Sequence, residues 1–399
     1  MLSEQSVPVV RATLPAVGAA LGEITDRFYA RLFSAHPELL RDLFNRGNQA
    51  DGTQKQALAG AIAGFAGMLV DRPGTRPDAM LSRIAHKHAS LGVTSEQYKT
   101  VQRHLFDAIA EVLGDAVTPA VAAAWDEVYW LMANAPIARE AQLYETAGVV
   151  EGDVWRPMLV TGRHRETPDV VSFTLRAADG GPNGRFLPGQ YVGVQAELPD
   201  GARQIRQYSL SRGPGRAEWR ISVKRLRSGP GPEGEVSSWL HANLGAGQTV
   251  MVSAPFGGLT LPEGDGPLLL ASAGVGVTPM LSMLDELATT GSARRVIVAH
   301  ADRSPDDHAH RDELARLAAA LPHGECHLWY EDPDGCAAPG ARAGRTDLGA
   351  LELPEGLTAY LCGPLPYLRA IRGDLLHHGV PAADIHYEVF GPDLWLGRE

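Results

Sequence analysis

Cysteine is nearly absent from this chain of 399 residues, which has only Cys326, Cys336 and Cys362. Three cysteines cannot build a disulfide framework, and with no C-x-x-C pair there is no zinc or dithiol redox motif. This usage fits a reducing cytoplasm. An early apolar stretch is also missing: Met1-Leu2-Ser3-Glu4-Gln5 carries an acid and no hydrophobic region, unlike a secretory signal. The run Pro267 to Leu284 has 18 residues without a charge, the length of a membrane span. Gly274, Gly276, Thr278 and Pro279 at its centre turn it into a buried strand, a glycine turn and a helix start, so no transmembrane segment is expected.

A basic stripe is lacking as well. Net charge is −11, divided as −3 over residues 1–145, +3 over 151–262 and −11 over 263–399. Nothing here neutralises phosphates in bulk, which excludes nucleic acid as the expected partner. Any anionic ligand must be held locally, by a few arginines or by helix ends.

What is present is the composition of an ordinary globular protein, 44% hydrophobic and 21% charged. The length calls for two or three domains. Residues 1–147 read as all-α: Leu21/Ile24/Phe28/Leu32, Leu58/Ile62/Phe65/Leu69 and Val101/Leu105/Ile109/Val112 recur at spacings of three and four. Thr94 and Gln97 form a capping-box pair. Residues 152–262 switch to period two, as in Val171/Phe173/Leu175 and Trp219/Ile221/Val223, between Gly/Pro turns. That pattern predicts an antiparallel β-barrel. From 263 to 399, apolar runs (Leu268 to Ala271, Val296 to Ala299, Thr358 to Cys362) alternate with helical stretches (Pro279 to Ala288, Asp312 to Ala320, Pro366 to His377), the rhythm of a doubly wound α/β domain. There is no internal repeat.

Gly274-Val275-Gly276-Val277-Thr278-Pro279 joins a predicted strand to a predicted helix, where free N–H groups and the helix dipole can receive a pyrophosphate. His300-Ala301-Asp302-Arg303 ends the next strand. An acid there would hold a ribose 2′-OH and an arginine a 2′-phosphate. With both present, NADH and NADPH are not separated. In the barrel, Pro188-Gly189-Gln190-Tyr191 and Arg206-Gln207-Tyr208-Ser209 stand out. An Arg two residues before a Tyr shares its strand face, so a cation can meet a phosphate while a phenol ring stacks on a flat heterocycle. Gly234-Glu235-Val236-Ser237 then opens a helix, a second anion-accepting N-terminus.

The order RxYS, GxVS, GxGxTP, Cys362-Gly363-Pro364 and a terminal Phe390 resembles the ferredoxin-NADP reductase superfamily. The resemblance implies that Arg206 contacts the FAD pyrophosphate, Tyr208 stacks on the isoalloxazine, Tyr191, Gln207 and Ser209 line the flavin site, and Ser237 supports the pyrophosphate. Gly274, Val275, Gly276, Val277, Thr278 and Pro279 would bind the nicotinamide nucleotide. Val389, Phe390, Gly391 and Pro392 would cover the flavin where nicotinamide enters.

In the helical part, Ile84-Ala85-His86-Lys87-His88 offers two histidines. At 100° per residue His88 shares a face with Leu81, Ile84 and Leu91, whereas His86 points roughly opposite. With Phe28-Tyr29 on the second helix, Phe44 in the following loop, Gln54, Leu58, Lys87-His88, Tyr98 and Arg139-Glu140, nearly the whole chain resembles the flavohaemoglobins, a bacterial globin fused to a reductase.

The resemblance implies that His88 is the proximal ligand of haem b, with Tyr98 and Glu140 on its other ring nitrogen. Tyr29 and Gln54 would donate to O₂ at the haem, Phe44 and Leu58 would line the pocket, and Lys87 would shape the electrostatics between haem and flavin. FAD would convert hydride from NADH or NADPH into single electrons. The implied activity is NO dioxygenation, with NO and O₂ as substrates and nitrate as product. Two alternatives stand beside it: an O₂/NO carrier or sensor with an attached reductase, and a general NAD(P)H-dependent flavin or haem reductase acting on ferric iron or alkyl hydroperoxides. A lipid in the distal pocket and the oligomeric state are left open.

Two departures from the family pattern bear on these roles. Pro136 lies in the helix carrying Glu140 and removes a helix hydrogen bond, an expected kink that would draw Glu140 away from Tyr98 and His88. Val389 replaces a residue that is commonly Cys, with expected effects on flavin potential or nicotinamide access. The loop Arg225 to Gly234 also looks long.

Overall fold

The computed structural model describes residues 1–72, 74, 77–227, 233–332 and 340–391. Cys336, Pro392 and the middle of the Arg225 to Gly234 loop lie outside the described residues.

The N-terminal part is all-α: α1 (Ser6–Ala35), α2 (Pro37–Asp42), α3 (Arg46–Ala50), α4 (Thr53–Asp71), α5 (Asp78–Leu91), α6 (Ser95–Leu113) and α7 (Pro119–Ala147). Val17, Leu21, Ile24, Phe28 and Leu32 of α1 form the centre of its core, against Phe65 of α4, Leu105 and Ile109 of α6, and Trp125 and Val128 of α7. Tyr29, expected on a second helix, belongs to the first. Pro15 interrupts the backbone ladder on an exposed face of α1, so the missing hydrogen bond is left to water and the helix continues. Among the described residues α1 is also the one helix long and apolar enough to cross a membrane. Thr94 and Gln97 close the predicted capping box at the head of α6. In α7, Thr118 caps the first turn, and Pro136 leaves a single helix to Ala147.

A six-stranded antiparallel sheet follows, from β1 (Trp155–Arg165), β2 (Val170–Ala177), β3 (Tyr191–Glu197), β4 (Arg203–Ser209), β5 (Trp219–Lys224) and β6 (Thr249–Ser253), in the order β4-β3-β6-β1-β2-β5. A bridge from Leu210 to Ile221 joins the two ends, closing the barrel and removing its edges. Phe173, Leu175, Ile221 and Val223 point inward, fully buried. Helix α8 (Glu235–Asn243) lies between β5 and β6 in sequence.

The last part is a parallel sheet of β7 (Leu268–Ala273), β8 (Val296–Asp302), β9 (Gly324–Tyr330), β10 (Ala341–Ala343), β11 (Thr358–Cys362) and β12 (Ile385–Glu388), in the order β10-β9-β8-β7-β11-β12. Its crossovers include α9 (Val277–Thr289), α10 (Arg311–Ala319) and α11 (Leu365–His377). The order reverses between β7 and β11, the place where open α/β sheets bind ligands.

Two compact units emerge. One comprises Met1–Trp155 with Gln195–Arg206 and Gly391; the other comprises Arg156–Val194 and Gln207–Phe390, so that most of the barrel and the whole parallel sheet belong together.

Candidate functional site

In the first unit three helices converge on His88. From α5 its Nδ1 lies 2.7 Å from the Tyr98 hydroxyl of α6 and 3.1 Å from Glu140 Oε1 of α7. The Tyr98 hydroxyl donates to the same Oε1 at 2.6 Å. Glu140 and Tyr98 are buried, at 2% and 8% exposure. Burial, then the Glu140 charge, pushes the Tyr98 phenol far above its ordinary range, so it keeps its proton. A carboxylate only accepts. Tyr98 therefore donates to Glu140, and Nδ1 of His88 carries the hydrogen that both oxygens receive. Nε2 is left with its lone pair, the donor a haem iron takes, oriented by partners on the other nitrogen. The kink expected at Pro136 does not draw Glu140 away, because α7 stays continuous through the proline and on to Glu140. His86, on the far side of α5, is also buried, and burial followed by Arg139 brings it down to about 4, a neutral packing residue near pH 7.

Tyr29 of α1, 4% exposed, sits in an aromatic nest: ring centroids of Phe28, Phe33 and Phe44 lie 4.7, 5.5 and 6.0 Å away. Burial pushes its phenol up to about 12, partly offset by side-chain bonds from Gln54 and Gln49. Gln54, in the first turn of α4, and Leu58, one turn on, are half-buried, as is Phe44. Gln49 of α3 went unnoticed in the sequence, since a glutamine in a five-residue helix belongs to no periodic pattern. Lys87, beside the iron-ligand candidate, donates from Nζ to the Gly391 carbonyl at 2.9 Å.

The same unit holds Arg206. Its guanidinium donates to Asn45 Oδ1 at 2.7 Å and to the Ile205 carbonyl at 2.7 Å. Gln204, fully buried, donates to the carbonyls of Leu40, Arg41 and Phe44. Asn45 and Gln204 were likewise invisible in sequence, because their partners lie about 160 residues away.

In the second unit Gln207 and Tyr208 of β4 are half-buried and Ser209 is buried. Tyr191 is 6% exposed, its backbone paired with Phe256 and its ring against Gly257, whose Cβ would stand 3.0 Å from it. At the head of α8, Ser237 Oγ accepts from Leu226 N and donates to the Gly234 carbonyl. A Cβ on Gly234 would meet Ser237 Oγ at 2.6 Å, and no side chain caps the helix. The head of α8 thus brings the Gly234 backbone and the Ser237 hydroxyl close together.

The glycine turn between β7 and α9 is packed backbone to backbone against the end of β11. A Cβ on Gly276 would stand 2.3 Å from the Cys362 carbonyl oxygen and 2.9 Å from Gly363 N. Gly274 takes φ +54°, with its Cβ position 3.7 Å from Lys224 Nζ. Lys224, at the end of β5, adds a cation that sequence reading passed over. Val275 precedes α9 in a single helical turn; Val277, Thr278 and Pro279 are buried in the first turn of α9, and Thr278 donates to the Val275 carbonyl at 2.9 Å. Among the described residues no side chain caps α9 either. At the end of β8, Asp302 accepts from Arg303 N, while the Arg303 guanidinium pairs with Asp307 at 2.6 Å. Val389 is half-buried and Phe390 is 46% exposed.

Residues 26–135 match the Globin family model and residues 270–373 match the Oxidoreductase NAD-binding domain. Over 405 aligned residues the chain is 40% identical to the Flavohemoprotein of Rhizobium meliloti (strain 1021), covering 99% of this chain and 100% of that one. The chain belongs to the flavohemoprotein family. A flavohemoglobin crystal structure from Malassezia yamatoensis, with bound FAD and heme, superposes with a TM-score of 0.89 at 37% identity, covering 98% of this chain and 100% of that one. The FAD/NAD-binding domain of nitric oxide dioxygenase from Vibrio cholerae O1 biovar El Tor matches with a TM-score of 0.55 at 39% identity, over 59% of this chain and 99% of that one. The globin match lies in the first part of the chain and the nucleotide-binding match in the last.

Proposed function

We propose that this flavohemoprotein is an NAD(P)H-dependent nitric oxide dioxygenase that turns NO and O₂ into nitrate with haem b and FAD as cofactors. The observation that carries the reading is the His88–Tyr98–Glu140 cluster, with Nε2 left available, in a chain whose other end holds a nucleotide-binding fold. When bound, the nicotinamide nucleotide, FAD and haem supply the hydride, its conversion to single electrons and an iron that takes O₂.

His88 would hold the iron through Nε2 while Tyr98 and Glu140 draw on its Nδ1–H, lending the ring imidazolate character. Tyr29 keeps its phenol proton to about pH 12, so it can donate to O₂ across the working range, with Gln54 steering the hydroxyl. Phe44 and Leu58 supply apolar wall, and a small apolar cavity of about 30 Å³ lined by Leu21, Ile24, Ile62, Leu105 and Phe106 lies among α1, α4 and α6, a size suited to a diatomic gas such as NO or O₂. Lys87 adds a positive charge beside the iron-ligand position.

In the first unit, Arg206 would contact a pyrophosphate of FAD. In the second, Ser237 at the head of α8 would support a pyrophosphate, and Tyr208 would stack on the ring system, flanked by Tyr191, Gln207 and Ser209. The turn Gly274 to Pro279, with Lys224, would take the pyrophosphate of NADH or NADPH. Phe390, between Val389 and Gly391, would cover the flavin until nicotinamide displaces it.

The test is stopped-flow mixing of the O₂-bound ferrous protein with NO under excess NADH. Nitrate should form, with nucleotide consumed in proportion to NO removed. A carrier would show binding without turnover, and a general reductase would consume nucleotide without NO; either result sinks the reading.

A further inference from the structure

Where the barrel meets the nucleotide-binding fold inside the second unit, a buried polar cluster is built around His310. This residue is the N-cap of α10 and sits at φ +60°, the one non-glycine with positive φ among the described residues. Its side chain is 2% exposed. Nδ1 lies 3.3 Å from Glu166, in the turn between β1 and β2, and 3.4 Å from Glu313 of α10. Nε2 lies 2.8 Å from Ser222 Oγ of β5 and 3.4 Å from Ser172 Oγ of β2. Arg220 of β5, also buried, reaches Glu313 at 2.8 Å and holds Ser211 through two hydrogen bonds.

Each feature is expensive. A non-glycine residue in the left-handed region is uncommon, and surrounding a buried imidazole and guanidinium with two half-buried carboxylates is rarely the cheapest way to fill a seam. Costly features gathered in one place point to function. Their position supplies it. A second polar tie between the same two folds runs through α9, where Asp285 accepts from Gly213 N and Arg216. One tie alone leaves a hinge. A second, on a different helix, removes the rotation about it.

We propose that His310 is a positioning residue: together with Glu166 it pins the nucleotide-binding fold to the barrel in the register that hydride transfer requires. The inference rests on the reading that this unit passes hydride from nicotinamide to flavin. Transfer needs the reacting atoms within about 3.5 Å, and a misplacement of about 1 Å can cost about 100-fold, so a loosened seam slows the chemical step while the nucleotide still binds.

The experiment follows flavin reduction by NADH in the anaerobic full-length holoprotein, separating limiting rate from half-saturating NADH. His310→Gly removes the side chain but accepts the backbone angle. Its limiting rate should fall about tenfold with half-saturation within about twofold. Glu166→Gln should act in the same direction, and the double variant should be no slower than the slower single, as expected for one shared interaction. His310→Asn, which tolerates the left-handed region and restores a donor, should recover most of the rate. Limiting rates unchanged in both single variants, losses that multiply, or no rescue by asparagine would each overturn the proposal. Should His310→Gly lose its flavin, an unchanged limiting rate in Glu166→Gln overturns it alone. If the unmodified protein shows no flavin reduction by NADH, the functional reading fails instead.

Discussion

Tyr98 donates its phenol hydrogen to Glu140 across 2.6 Å, from α6 to α7, and that bond decides which nitrogen of His88 is left for a metal. With Tyr98 committed as donor, its oxygen can only receive from Nδ1, and Nε2 becomes the free donor atom. In the proposed reading, coordination at Nε2 would be set by two residues that need not touch the iron.

Glu140→Ala should therefore loosen haem. Removing the carboxylate strands the Tyr98 phenol and releases the ring of His88, and loss of such a supporting partner typically costs about 10- to 100-fold in affinity or activity. The check is the rate at which haem leaves the protein for an apoprotein acceptor. A rate equal to that of the unmodified protein would remove Glu140 from the ligand network.

Tyr29→Phe should raise the O₂ dissociation rate roughly ten- to hundredfold, the worth of a hydrogen bond to a charged acceptor. Because burial holds the phenol at about 12, the unmodified protein's dissociation rate should stay flat as pH rises past 10. An inflection near the ordinary tyrosine value would mean that Tyr29 is not the donor. Laser photolysis or stopped flow in alkaline buffers reads both effects.

Gly276→Ala should damage nucleotide binding while sparing haem. Its methyl would have to occupy a position 2.3 Å from the Cys362 carbonyl, forcing the turns of β7 and β11 apart. The half-saturating NADH concentration should rise at least about tenfold, a misfit of roughly 1.4 kcal/mol, with the Soret absorbance unaltered. An unchanged NADH dependence would place the nucleotide elsewhere.

Acid should unlock the His310 cluster. Burial pushes the Glu313 carboxyl up, but the His310 bond and then Arg220 outweigh it and bring it to about 2. A carboxyl depressed in the folded state contributes stability that is complete above its unfolded value, near 4.5, and is lost as pH falls from there toward 2. Urea unfolding at pH 5 and pH 3 should show a loss on the order of 2 kcal/mol. Glu313→Gln should flatten that part of the slope; an identical slope in the variant would contradict the assigned pairing.

Much of this was legible in one dimension. Helical stripes, period-two runs and the βαβ rhythm located three kinds of fold, because each reports a single element's buried face. The glycine turn and the RxYS and GxVS motifs could be read because local backbone chemistry dictates them. Partners were not legible. Gln49, Gln204, Asn45, Lys224 and His310 carry no periodic or motif signal, and their hydrogen bonds or close approaches join elements far apart in sequence. The Pro136 expectation failed for a related reason: removing one backbone bond from a long packed helix left the helix and Glu140's contacts intact.

By itself, then, the sequence determined which residue types the chemistry could use and in what order the folds occur, since composition, spacing and capping are properties of the chain. Only the tertiary structure decided which nitrogen of His88 is free, how Gly276 sits against Cys362, and that His310 lies between two carboxylates from different folds. Those are matters of a few ångströms between distant elements, and packing sets them.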